Sequence, residues 1–77
     1  MSDWKIGLVT MEAVRILREY QFSILGTSHD TRVATAIGLA YDKLEGDLPF
    51  DDASDLYCDI DARFPEYVAA INAEVQP

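Results

Sequence analysis

Residues 47–64 read DLPFDDASDLYCDIDARF. Wound as an α-helix from about Asp51, at 100° per residue, the segment gathers Ala53, Leu56, Tyr57, Ile60 and Phe64 within an apolar arc of about 100°. Asp51, Asp52, Asp55 and Asp59 fall in a second arc of similar width on the far side. One face is patterned for burial, and the other carries a row of carboxylates. Asp51 is placed to cap this helix, after a turn over residues 47–50. Pro65 ends it, because the residue before a proline is pushed out of the α region. The same Pro65 suits the first position of a further helix running to about residue 75.

The helical period extends through the rest of the chain. Trp4, Ile6 and Leu8 alternate with Lys5, Gly7 and Val9, but no second strand-like run exists to pair with them. An extended lead-in is expected there, with Trp4 covering the end of the core. Thr10 reads as an N-cap, with Val9 and Val14 placed as a hydrophobic staple. The first helix should span residues 11–25 and stop at Gly26. Ala13, Ile16, Leu17, Tyr20 and Ile24 lie on one of its sides, and Met11, Val14, Phe22 and Leu25 on a second. A helix so widely apolar is either central to its own domain or shared with a partner subunit.

Ser28 or Thr27 should cap a second helix that runs to Glu45 and stops at Gly46. Val33, Ala36, Ile37, Ala40, Tyr41 and Leu44 form its inner face. Gly38, at the edge of that face, is read as a point where another backbone comes close, and Leu39 points to the polar side. In the last helix Tyr67, Val68, Ile71 and Val75 face inward, while Ala69, Ala70 and Ala73 leave an outer face of small residues. The expected fold is all-α, a small compact bundle of about four short helices forming one domain over residues 1–77.

At 77 residues the chain supports one core but no enclosed cavity with supporting shells. Cys58 is the single cysteine, so stability rests on packing rather than on disulfides. No signal-like segment and no membrane-length apolar run is present, and a soluble cytoplasmic protein is expected. The net charge of −8 is unevenly distributed. Residues 1–46 carry five bases and six acids, whereas residues 47–77 carry one base, Arg63, and eight acids. Such a field repels nucleic acid and anionic membranes and attracts basic surfaces, which argues against direct nucleic-acid or membrane binding.

The residues that might carry chemistry fail on spacing. Ser28, His29 and Asp30 have the residue types of a triad, but consecutive side chains do not place an imidazole between nucleophile and carboxylate; turn and cap chemistry is the simpler reading. His29 with Cys58 does not make a usual zinc site. The aspartates fail as a calcium loop, because the sixth and twelfth positions fall on Leu56 and Ala62, or on Phe64 and Ala70. No cleft separates the pKa values of a carboxylate pair, and Cys58 among carboxylates is a poor thiolate. No cofactor, metal or catalytic set is expected, and the chain is read as a non-enzyme.

The carboxylate row remains. Residues three and four apart on a helix stand about 5–6 Å from one another, close to the scale of phosphate spacing. Asp51, Asp52, Asp55 and Asp59 form the row, and Asp42, Glu45 and Asp47 are placed to extend it. In general character, small, acidic and without a catalytic constellation, the chain resembles the inhibitors that viruses and mobile elements direct against nucleic-acid-handling machinery, anti-CRISPR and anti-restriction proteins among them. The resemblance is one of class and implies no site residues. It implies an inhibitor acting in a host cytoplasm, whose acidic face mimics nucleic acid and docks on the basic groove of a nucleic-acid-binding complex. Tyr57 and Phe50 edge this surface but are read first as core. Three other readings stay open: a homodimeric structural or regulatory module, an immunity or antitoxin protein against a basic nuclease, and an acidic face that serves only solubility.

Overall fold

The 3.6-residue period is realised as four helices in the computed structural model, which describes residues 3–20 and 28–75. They are α1 (Asp3–Glu19), α2 (His29–Asp47), α3 (Phe50–Ala62) and α4 (Phe64–Val75), with no strand among the described residues. The expected all-α bundle is the observed one. Its Cα radius of gyration, 11.9 Å, is that of a packed chain of this length, about 11–12 Å.

The core forms where helical faces converge. Val9, Ala13 and Ile16 of α1 meet Val33, Ala36, Ile37, Ala40 and Leu44 of α2, and Leu56, Tyr67 and Ile71 close the cluster from α3 and α4. Val9, Ala13, Val33, Ala36 and Ala40 are fully buried, and these short side chains let α1 and α2, the most extensively paired helices, approach closely. A polar tie reinforces them: Glu12 accepts from Lys43 at 3.2 Å and from Arg15 at 3.1 Å. Burial pushes the Glu12 carboxyl upward, but these two cations outweigh it and hold the group below its ordinary value of 4.5. The contribution of Glu12 is therefore present above that value and is lost as pH falls through the lowered one.

Contacts at the helix ends define two poles. Arg18 donates to the Glu74 carbonyl at 3.3 Å, and His29 Nε2 meets Asn72 Oδ1 at 2.7 Å. The C-terminal ends of α1 and α4 and the start of α2 thus share one pole. At the other, Lys5 of α1 reaches Asp55 of α3.

Several boundaries differ from the expectation. Residues 3–10 are helical rather than extended. Lys5, Val9, Ala13 and Ile16 continue one buried face back to the start of the helix, and this stripe prevails over the short alternation. Trp4 stays 48% exposed beside Lys5 and does not cover the core. Thr10 is a buried residue within α1, not its cap, and its Oγ1 has no hydrogen-bond partner among the described residues. The helix ends at Glu19, which leaves Tyr20 exposed; the expected continuation through Phe22, Ile24 and Leu25, the stop at Gly26 and the cap at Thr27 lie outside the described residues.

Ser28 caps α2 as expected, accepting from the Thr31 amide at 3.2 Å. No close approach occurs at Gly38, because a Cβ built there meets nothing within 4 Å, and Leu39 is exposed. Pro49, not Asp51, is the N-cap of α3; its fixed φ of −56° starts the helix, and Asp51 already lies in the first turn. The inner faces of α2 and α4 are as read.

Two substitutions test this packing. Gly38→Ala should stabilise the protein by about 0.5–1 kcal/mol, since it removes a flexible helix residue and meets open space. Ile71→Ala, at a fully buried site, should cost about 2–5 kcal/mol. Chemical denaturation measures both.

Candidate functional site

The four carboxylates of the expected row do not act as one surface. Asp59 is turned inward. Its side chain is 13% exposed and pairs with Arg63 at 3.6 Å, and it accepts the hydroxyl of Tyr67. Tyr67 is fully buried, so its phenol needs an internal acceptor. Burial and then the Asp59 hydrogen bond push the Tyr67 hydroxyl well above its ordinary value of 10.

Asp55 holds Lys5. The Lys5 side chain is 7% exposed, its stem packed in the protein and its ammonium 5.7 Å from the Trp4 ring centroid. Burying a cation this far is costly without a paired anion. Asp51 and Asp52 are exposed in the first turn of α3, where the helix macrodipole favours negative charge. Each acid of the row therefore has a role in folding, and repulsion between them is not the only term acting.

The acids of α2 are placed differently. Asp42, Glu45 and Asp47 are exposed and make no ion pair among the described residues. Glu45 and Asp47 lie in the last turn of α2, which has no base, and there the macrodipole opposes them. Nearby cations are committed elsewhere: Lys43 to Glu12, Lys5 to Asp55, and Arg63 to Asp59 and Glu66.

These α2 acids do not simply extend the α3 row. Tyr41 packs edge-on against Tyr57, with ring centroids 5.5 Å apart and planes at 62°. Burial, and then the charge of Glu45 with contributions from Tyr57, Asp42 and Cys58, hold the Tyr41 hydroxyl above its ordinary value. Glu45, one turn beyond Tyr41 on α2, and Asp42, next to Tyr41 in sequence, thus belong to the neighbourhood of the Tyr41–Tyr57 contact, and Tyr57 lies about 140° around α3 from Asp52. Phe50 and Tyr57, read first as core, are 84% and 61% exposed. Only Ala53 and Leu56 of α3 are buried, a face narrower than the sequence arc, and Phe50 and Tyr57 fall at its edge. Asp61 is exposed on the same side; it belongs to no row of acids, so carboxylate spacing gives no signal for it.

The remaining features are separate. Ser28 and His29 form the α2 cap and the Asn72 contact described above, and Cys58 is exposed. No group of three or more His, Cys, Asp or Glu among the described residues is arranged to hold a metal, and no described helix is long and apolar enough to cross a membrane. Between α1 and α4 runs a groove of about 540 Å³, lined by Gly7, Thr10, Met11, Ala70 and Ala73 among others. It joins the second apolar side of the first helix to the alanine face of the fourth.

Two outcomes check these assignments. Asp55→Asn should cost about 1–3 kcal/mol by stranding a buried ammonium, while Lys5→Met, which keeps the apolar stem and removes the charge, should cost less. The raised Tyr67 value makes its contribution complete below the ordinary value of 10 and lost as pH rises toward the folded one. In an alkaline titration the Tyr67 phenolate should appear only as helicity is lost, and Tyr67→Phe should remove that late absorbance step. Comparison with protein families, curated proteins and solved structures finds no match to this chain.

Proposed function

We propose that the protein is a non-enzymatic, protein-binding inhibitor whose acidic α2–α3 corner docks on a Lys/Arg-lined groove of a nucleic-acid-handling complex and excludes nucleic acid by occupancy. One observation carries the reading: Glu45 and Asp47 stand at the C-terminal end of α2 with no base in that turn. An acid so placed costs a helix about 0.3–1 kcal/mol. Folding therefore gives no reason for these two charges, whereas a basic partner does. Asp42, one turn earlier, and Asp51 and Asp52, just across the Leu48–Pro49 link, enlarge the same negative field. A field of this kind accelerates encounter with a basic groove and repels nucleic acid from it. The target places the protein's action inside the cell.

The test is affinity capture from cell lysate at low and at high salt, with recovered proteins identified by mass spectrometry. Basic nucleic-acid-binding proteins should be captured at low salt and released at high salt, and the Glu45→Lys, Asp47→Lys double variant should lose them. Equal capture by that variant would contradict the reading.

A second reading, self-association, is favoured by the α1–α4 groove, where Met11 is 70% exposed beside Gly7, Ala70 and Ala73. Its signature is a dimer in light scattering that persists at high salt and is broken by Met11→Lys.

A further inference from the structure

We propose that the unpartnered aromatic face of α3, formed by Phe50 and Tyr57 and braced by Tyr41, is the anchor of the docking surface, and that it receives arginine side chains from a basic protein segment. The inference rests on the inhibitor reading and names the chemistry of the partner.

Phe50 and Tyr57 are the two most exposed aromatic residues among those described, at 84% and 61%. They lie seven residues apart, about 20° from each other around the helix and roughly 10 Å apart along it. They form a single strip on one side of α3. An exposed phenylalanine at the first position of a helix does nothing for the core. Tyr57 is already held by its edge-on contact with Tyr41, so this ring needs little ordering when a partner arrives.

The charge around the strip selects the occupant. Asp42 and Glu45 stand on α2 beside Tyr41, the ring that braces Tyr57, and both are exposed. Asp51 follows Phe50 directly, and Asp61 lies one turn beyond Tyr57 on the same side; both are exposed. A second copy would set one group of carboxylates against its like, and nucleic acid would be repelled. A cation fits, and guanidinium fits better than ammonium. It stacks its plane on a ring while its edge donors reach a flanking carboxylate in a fork, whereas lysine offers a compact, strongly hydrated point charge.

Two synthetic peptides of equal length and charge, one arginine-rich and one lysine-rich, serve as probes in calorimetric titrations across a salt series. The wild-type protein should bind the arginine peptide several-fold more tightly and keep part of that preference at high salt. Phe50→Ala, and Phe50→Ala with Tyr57→Ala, should each erase the preference and weaken arginine-peptide binding, the double variant by about tenfold or more. Circular dichroism checks the fold, and the Phe50 variant removes a side chain with almost no internal contact. Equal affinity for the two peptides, or no effect of either variant while Glu45→Lys, Asp47→Lys still abolishes binding, would overturn the aromatic anchor and leave the inhibitor reading standing. Binding of neither peptide by the wild-type protein would overturn both. Self-association lost in Phe50→Ala would overturn the arginine assignment in favour of a second copy.

Discussion

The third helix buries only Ala53 and Leu56, and one fully buried leucine contributes roughly 1.5–3 kcal/mol. This is little with which to fix a helix of 13 residues. Its place depends on two carboxylates that reach outside the helix, Asp55 to Lys5 of α1 and Asp59 to the buried hydroxyl of Tyr67 in α4. Both partners are polar groups that the core has drawn inside: the Lys5 ammonium needs an anion and the Tyr67 hydroxyl an acceptor. The ties therefore work in both directions: the acids locate α3, and α3 makes it tolerable to bury a lysine and a tyrosine.

This use of Asp55 and Asp59 changes what the protein's acidity means. On one side of α3 two of the acids, Asp55 and Asp59, are engaged by Lys5 and by Tyr67 with Arg63, while Asp51 and Asp52 stay exposed. Charge at the end of α2 and on the Tyr57 side of α3 is left to solvent, together with the exposed rings of Phe50 and Tyr57. Acids that oppose a helix dipole and aromatics that avoid the core are both unfavourable for an isolated monomer. Their occurrence at the same corner is the ground for reading it as a docking surface, with charge guiding approach and rings supplying contact area.

The helices were legible in the sequence because their inner faces repeat at the helical period, as in Val33, Ala36, Ile37, Ala40 and Leu44. The start of the first helix was not. Residues 4–9 alternate in the manner of a strand, and only the three-dimensional burial of Lys5 with Val9 shows which period governs. Gly38 was misread because a glycine's sequence position does not reveal whether its surroundings are crowded or open. The acidic row was legible as a helical face, but a wheel shows direction and not partners. Nothing in one helix indicates that Asp59 meets a phenol eight residues later, or that Asp55 meets a lysine fifty residues earlier. Phe50 and Tyr57 carried a weak signal, their place at the edge of the apolar arc, which became decisive only once α3 was seen to bury a narrower face.

Asp42, Glu45 and Asp47 differ from Asp55 and Asp59 in that no contact within the described residues calls for their charge. Equilibrium denaturation of the triple variant Asp42→Asn, Glu45→Gln, Asp47→Asn, compared with the wild-type protein in low salt, tests it directly. The variant should be as stable as the wild type or more so, because neutralisation relieves both the dipole at the end of α2 and the repulsion between neighbouring acids. A clear loss of stability would contradict it, and would show these carboxylates to be part of the fold in the way that Asp55 and Asp59 are.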